Sequence, residues 1–149
     1  MKVVGTNRKA GHDYEILDTF DAGVVLEGSE VKSLRQGAVS LSDAYAEIRN
    51  GEVYLMNLHI TPYKFSPIGQ LQPKRRRKLL LRKDEIRKLF GTVQQKGHTL
   101  IPLRIYFNER GYAKIALGVC RQKRQYDKKD KILKEESRKA LSRIKRITR

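Results

Sequence analysis

The stretch Leu41 to Ile60, LSDAYAEIRNGEVYLMNLHI, carries the clearest local structural signal in the chain. It consists of two β-prone runs joined at Asn50-Gly51, a pair that is strongly preferred in tight two-residue hairpin turns. The stretch therefore predicts an antiparallel hairpin, and such hairpins are typical of barrels and sandwiches rather than of parallel α/β sheets.

The residues before this hairpin predict two strands and one helix. Alternating apolar side chains, in broken register, predict a half-buried strand over His12 to Thr19, and AGVVL, Ala22 to Leu26, predicts a second strand. The run SEVKSLRQG predicts a short helix with its N-cap at Gly28-Ser29 and its end at Gly37.

The residues after the hairpin begin with a proline-rich surface loop over Thr61 to Pro73, and Leu79 to Leu81 is expected to enter the core. The run HTLIPLRIYFNERGYAKIALGVC predicts a second hairpin around the turn at Asn108 to Gly111. Between them a short helix is predicted, which begins at the cap Asp84 and ends at Gly91. Its apolar face carries Ile86, Leu89 and Phe90.

Together these elements predict a mainly β fold, namely an OB-like antiparallel β-barrel of about six strands with two or three short helices. Barrels of the OB kind commonly bind nucleic acid. That step is an analogy, because a fold alone does not fix a function.

The charge of the chain indicates a polyanionic partner. Lysine and arginine number 33 against 16 acidic residues in a chain of 149, for a formal net charge of +17 and a pI near 10.2. Such a field attracts nucleic acid. The length suits one folded domain with a modest core, which we predict to comprise residues 1–120.

Residues 121–149 form a separate basic tail, with 13 Lys or Arg and 4 Asp or Glu and hence a net charge of +9. We expect it to be disordered when free and helical when bound to a polyanion. Its apolar residues fall close to one helical face: Leu133, Ala140, Leu141, Ile144 and Ile147. Binding to anionic lipid is the alternative for such a helix, but the narrow apolar face lacks Trp and Phe.

Several function classes find no support in the sequence. Cys120 is the only cysteine, no Cys/His cluster offers a zinc ligand set, and His12, His59 and His98 accompany no recognisable catalytic arrangement. We therefore expect no catalytic residue, no metal and no cofactor. No apolar run approaches the roughly 20 residues that span a bilayer, and no secretion signal is visible, so a cytoplasmic protein without a membrane partner is expected.

Four features are candidates for RNA contact. The cation run PKRRRKLLLRK, Pro73 to Lys83, suits phosphate groups or is a solvated basic loop. Asn7 could contact a base or cap a helix. Asp21 and Glu30 could accept hydrogen bonds from a nucleobase or pair within the protein. Tyr126 has no apolar neighbours in sequence, which favours stacking on a base.

The order and spacing of several motifs resemble one family closely, the SsrA-binding protein (SmpB) family, whose members are the protein partners of tmRNA in bacterial trans-translation. The resemblance covers almost the whole chain. Its motifs are NRKA at 7–10, FDAGVVLEGSEVKSLRQG at 20–37, GEVYLMNLHITPY at 51–63, PKRRRKLLLRKDEIRKLFG at 73–91 and QYDKKDKI at 125–132.

The resemblance implies an adaptor that binds the tRNA-like domain of tmRNA and enters stalled ribosomes. Its tail would lie in the empty mRNA channel and meet 16S rRNA at the decoding centre, and elongation factor Tu would be a partner through the tmRNA complex. The RNA-binding residues expected are Asn7, Arg8, Lys9, Asp21, Glu30, Lys32, Arg35, Lys74, Arg75, Arg76, Arg77, Lys78 and Leu79. The tail residues expected on the ribosome are Arg121, Lys123, Arg124, Tyr126, Asp127, Lys128 and Lys129.

The chain departs from the family pattern at four positions, two within these motifs and two beside them. Asp21 stands where the family usually has glutamate, and Gln72 where it usually has aspartate. Gln122 stands where glycine is usual, and Lys129 where arginine is usual. Loss of the glycine removes backbone freedom at the start of the tail, and lysine cannot reproduce a bidentate arginine contact. The alternatives are a general RNA chaperone or ribosome-associated OB-like protein and, from another class, a nuclease or other RNA-processing enzyme that uses one of the histidines. A monomer is expected.

Overall fold

The computed structural model describes residues 1–63, 72–94 and 98–123, in which nine strands and three helices occur. In chain order they are β1 (Lys2–Thr6), α1 (Arg8–Asp13), β2 (Tyr14–Val24), α2 (Gly28–Arg35), β3 (Val39–Ser40), β4 (Tyr45–Arg49), β5 (Glu52–Met56), β6 (His59–Ile60), β7 (Arg77–Leu80), α3 (Lys83–Val93), β8 (His98–Phe107) and β9 (Ala113–Gln122).

Six of the strands close into a barrel. Each pairs with the next in the order β8, β4, β5, β7, β2, β9 and back to β8, and every pairing is antiparallel. Strand β1 adds to the edge of β8, and β3 pairs with β6 in a separate two-stranded sheet. The predicted mainly β barrel of about six strands is therefore confirmed.

Both predicted hairpins are present. In the first, β4 and β5 pair from Tyr45 with Met56 to Arg49 with Glu52, and Asn50 and Gly51 have φ values of 52° and 74°. These positive φ angles are the reason for the Asn-Gly pair, because most other residues are strained there. In the second, β8 and β9 pair from His98 with Arg121 to Phe107 with Ala113, and β9 ends at Gln122 rather than near Val119.

The two strands predicted before the first hairpin form one strand, β2. Its pairing with β9 skips Leu17 between Ile16 and Asp18, which is a β-bulge. The extra residue shifts the alternation of side chains, so the sequence pattern breaks although the strand continues. β1 and α1 were not predicted.

The predicted helices form with different ends. α2 begins after Glu27, where Glu27 and Glu30 form a capping box, rather than at the predicted Gly28-Ser29 cap. α3 likewise begins after Arg82 and continues through Gly91 to Val93. The sequence predicts Phe90 on the apolar face, but Phe90 is 51% exposed, whereas Leu89 is fully buried. No helix within the described ranges is long and apolar enough to span a membrane.

The main core fills the barrel, and a smaller one lies on its outer face. Buried side chains from the strands meet Leu34 of α2 and Leu89 of α3 in the main core. Ala10 of α1 packs instead with Ile101 and Cys120, which alternate with the inward residues of β8 and β9 and so point outward. α1 is thereby fixed to the outside of the barrel.

Candidate nucleic-acid interface

A buried ion-pair cluster of Glu30, Arg75 and Arg77 joins α2 to the segment that leads into β7. Glu30 is 4% exposed and Arg77 is 1% exposed. Arg77 donates to Glu30 Oε2 from Nε at 2.8 Å and from Nη2 at 2.5 Å. Arg75 donates to the same oxygen from Nε at 3.1 Å and to Oε1 from Nη2. The single carboxylate thus accepts bonds from two guanidinium groups.

Arg77 also connects the cluster to the backbone. Its Nη1 donates to Leu58 O at 2.6 Å, and its Nη2 donates to Pro73 O at 3.0 Å. Burial lowers the pKa of Arg77 and Glu30 partly restores it, but an arginine in a protein remains charged. Because buried charges are costly without partners, this arrangement holds α2, the residues before β6 and the turn before β7 in one geometry.

The predicted RNA-contacting role does not suit every residue of the cation run. Arg77 and Leu79 point into the protein, and both are almost fully buried, as is Glu30. β7 alternates buried and exposed residues, so Lys78 and Leu80 point outward. The structure therefore places Glu30, Arg77 and Leu79 inside the fold, whereas Lys78 lies at its surface. RNA contact by the three buried residues stays a prediction.

Exposed cations lie on the two segments that the cluster joins. We name Lys32, Arg35, Lys74 and Arg76 the basic surface; all four are exposed. Arg76 stacks 4.4 Å from the ring centre of Tyr54, Arg35 lies 5.2 Å from that of Phe107, and Lys32 lies 5.4 Å from that of Tyr63. Such contacts restrict long side chains while leaving their charge in solvent.

Tyr54 was not predicted as part of the interface. Its hydroxyl donates to Glu52 Oε2 at 2.7 Å, and Lys78 Nζ donates to Glu52 Oε1 at 2.9 Å. The hydrogen bonds from Lys78 and Tyr54 lower the pKa of Glu52. Lys78, a predicted RNA contact, thus has an acidic partner already, whereas Arg76 beside it lies over the Tyr54 ring and forms no ion pair with any residue in the described ranges.

Asn7 is a helix cap in this structure. It is 8% exposed, its Oδ1 accepts from Ala10 N, and its Nδ2 donates to Leu41 O and Pro102 O at 3.2 and 3.1 Å. Its side chain is therefore occupied, which favours the capping interpretation over direct contact with RNA. Its neighbours Arg8 and Lys9 are exposed on α1.

Asp21 is exposed and accepts a hydrogen bond of 2.9 Å from the Tyr106 hydroxyl. β9 lies between β2 and β8, and its residue Ala116 pairs with Asp21 on one side and with Arg104 on the other. Because the alanine side chain is small, Tyr106 of β8 can reach across β9 to Asp21. Desolvation and the Asp21 carboxylate raise the pKa of Tyr106, so it remains a donor at neutral pH. Asp21 is thus oriented by Tyr106, and its carboxylate retains further acceptor capacity.

Only the start of the predicted tail is described. Arg121 lies in β9 and pairs with Glu15, while Lys123 donates from its backbone N to Asp13 O at 3.0 Å and from Nζ to Gly11 O at 3.3 Å. The chain therefore leaves the barrel beside α1. The other tail candidates, Arg124, Tyr126, Asp127, Lys128 and Lys129, lie outside the described residues.

The described residues contain no group of three or more His, Cys, Asp or Glu side chains that could hold a metal ion. Cys120 is buried, and burial raises the pKa of its thiol to about 11. The thiol is therefore protonated near neutral pH and is a poor nucleophile.

Comparisons with known proteins agree on one family. The family model described as SmpB protein matches residues 4–147. An SsrA-binding protein of Thermus thermophilus is 52% identical over 144 residues, covering 97% of this chain and 100% of the relative. That of Caldicellulosiruptor bescii is 53% identical over 137 residues, covering 92% and 86%. A solved structure described as "tmRNA-SmpB: a journey to the center of the bacterial ribosome" matches with a TM-score of 0.71 and 52% identity, covering 89% of this chain and 95% of that one.

Proposed function

The chain belongs to the SmpB protein family, and on that premise we propose that it binds the tRNA-like domain of tmRNA and delivers it to stalled ribosomes in trans-translation. The observation that carries the proposal is the family match across residues 4–147, which includes both the barrel and the tail. Relatives named SsrA-binding protein support it, as does the neighbour described as "tmRNA-SmpB: a journey to the center of the bacterial ribosome".

The barrel supplies the RNA-binding surface in this proposal. The basic surface of Lys32, Arg35, Lys74 and Arg76 would contact phosphate groups, with Arg8 and Lys9 as a second set of exposed cations. The ion-pair cluster holds the two segments of the basic surface together, so the cations need not be ordered at the moment of binding. Asp21, oriented by Tyr106, would accept a hydrogen bond from RNA.

The tail would act on the ribosome. We propose that residues beyond Lys123 form a helix in the empty mRNA channel, with Tyr126 stacked on 16S rRNA at the decoding centre and the neighbouring cations on phosphates. Elongation factor Tu would be met through tmRNA, the protein would act as a monomer in the cytoplasm, and peptidyl transfer would be left to the ribosome.

Replacing Tyr126 by alanine should separate the two activities. In a reconstituted reaction with tmRNA and stalled ribosomes, we expect the full chain to support tagging of the incomplete peptide. Tyr126→Ala should bind the tRNA-like domain with unchanged affinity but tag poorly, because the stacking contact belongs to the tail. Tyr112→Ala is the matched control, since Tyr112 is a 65% exposed tyrosine beside the β8–β9 turn.

Two outcomes would contradict the proposal. Normal tagging by Tyr126→Ala would remove the tail tyrosine from the mechanism. Absence of tagging by the unmodified chain would argue against an adaptor function altogether.

A further inference from the structure

A cleft lies on the outside of the barrel where β8 changes its partner. β9 pairs with one edge of β8 along its length, so β4 and β1 share the other edge. β4 pairs there at Leu100 and β1 pairs from Arg104 to Phe107. The cleft has a volume of about 540 Å³ and lies between α1 and the residues that lead into β4.

The lining of this cleft combines apolar, aromatic and polar residues. Ile101 and Ala10 belong both to this lining and to the small outer core. Two tyrosines belong to the lining, Tyr14 directly after α1 and Tyr45 at the start of β4. Binding sites for small organic groups commonly have this composition, with volumes of about 300–1,000 Å³.

Two carboxylates belong to the lining of the cleft, and they differ in their partners. Asp13 Oδ1 lies 2.9 Å from His12 Nδ1, whereas no such ion pair is found for Asp43 among the described residues. Asp43 is exposed, and its carboxylate forms no hydrogen bond or ion pair with any residue that the structure describes. The hydroxyl groups of Ser42 and Thr99 lie in the same lining, as does Lys9. A carboxylate that has no partner among the described residues, in one lining with two tyrosines, is available to a ligand that presents hydrogen-bond donors.

The net charge of the chain selects among such ligands. At +17, the protein repels cationic peptides and attracts polyanions. An RNA strand is a polyanion that also presents hydrogen-bond donors. Its phosphates can lie near Lys9 and the adjacent Arg8 while one unstacked base enters the cleft. Aromatic side chains are common partners for such unstacked bases.

Asp43 restricts which base can bind. An ionised carboxylate only accepts hydrogen bonds. Guanine presents two adjacent donors, N1–H and the N2 amino group, which match its two oxygens. Adenine and cytosine each place a ring-nitrogen acceptor beside their amino group, and uracil places N3–H between two carbonyl oxygens, so each of them would bring an acceptor against the carboxylate.

We propose that this cleft binds a single unstacked guanine base of the RNA partner, in contact with Tyr14 and Tyr45 and with its donor edge on Asp43. The inference rests on the proposed function, because it assumes that the partner is RNA. It adds a base-reading site to the phosphate contacts of the basic surface, which carry no sequence information.

The test is a titration of the isotopically labelled full chain with GMP, AMP, CMP and UMP, followed by amide chemical shifts. GMP should produce saturable shifts at Ala44, Tyr45, Thr99 and Ile101, and should bind more tightly than the other three mononucleotides. Asp43→Asn should weaken GMP binding about tenfold and reduce the preference over AMP. Asp84→Asn, an equally conservative change at an exposed aspartate on α3, should leave GMP binding unchanged.

Three results would overturn the inference. These are the same shifts with inorganic phosphate alone, equal affinity for the four mononucleotides, and equal GMP affinity of the Asp43→Asn and unmodified chains. Binding of the tRNA-like domain is measured on the same samples. If that domain binds and GMP does not, the guanine site alone is wrong, whereas failure of the domain to bind contradicts the proposed function.

Discussion

Replacing Glu30 by glutamine is expected to lower the free energy of unfolding by about 3–5 kcal/mol, because it leaves a buried charge without its counter-charge. Arg77 is 1% exposed and cannot lose its proton to escape the penalty. Glutamine keeps the shape of glutamate, so the change removes the charge without opening a cavity. Denaturation by urea, with and without the substitution, measures the effect.

Glu52→Gln is the matched control for this prediction. Glu52 also accepts from a cation, Lys78, but the two side chains are 43% and 44% exposed. Water solvates the partner left behind, so the loss should be a small fraction of that for Glu30. The double variant Glu30→Gln, Arg77→Met should recover much of the lost stability, since it removes the unpaired charge. Equal effects of Glu30→Gln and Glu52→Gln would contradict the importance of the cluster.

Acid should lower the stability of the protein in the same way as Glu30→Gln, because protonation also removes the charge of Glu30. Burial alone raises the pKa of Glu30, but the hydrogen bonds from Arg75, the Glu27 backbone and Arg77 outweigh it and hold this pKa below its ordinary value of 4.5. The stabilisation from Glu30 is therefore complete above about pH 4.5 and is lost as the pH falls through the lower value in the folded protein. The Glu30→Gln chain should lose less stability over this acid range than the unmodified chain.

The second large effect is expected on RNA binding, when Lys32, Arg35, Lys74 and Arg76 are all replaced by glutamine. Removing four phosphate contacts should reduce the slope of log affinity against log salt by about 0.9 for each contact. The corresponding loss of affinity for the tRNA-like domain is on the order of 10²–10³-fold at about 0.1 M salt. All four side chains are exposed, so the fold should be unaffected.

The control removes the same charge from other surfaces. Replacing the exposed residues Lys2, Lys83, Arg87 and Arg110 by glutamine also reduces the net charge from +17 to +13. Binding that depends on the basic surface should fall far less in this control. An equal loss in both variants would mean that the overall charge, rather than the position of the cations, determines binding, as in a general basic RNA-binding protein.

The sequence predicts those parts of the fold that local signals specify. Asn50-Gly51 requires a hairpin at that point, and its two positive φ angles agree with the prediction. α1 has only six residues and shows no amphipathic pattern. Its cap, Asn7, donates to the carbonyls of Leu41 and Pro102, which are 34 and 95 residues away. Contacts of that range cannot be read from a local pattern.

The same limit applies to the candidate interface. In the sequence, Arg75, Arg76 and Arg77 are a uniform run of cations. In the structure Arg76 is exposed while Arg77 is buried against Glu30, 47 residues away along the chain. The alternation of β7 could have indicated that Arg77 and Leu79 share one face, but only the fold shows that this face is buried and that an acidic partner lies there.

The central claim, that this chain is an adaptor for tmRNA, is tested most directly by a competition experiment. The affinity of the full chain for the tRNA-like domain of tmRNA is measured in the presence of elongator tRNA at matched salt, because bulk charge acts on both RNAs alike. We predict that the tRNA-like domain is bound in preference to elongator tRNA. Equal affinity for the two RNAs would contradict the account and leave non-selective RNA binding in its place.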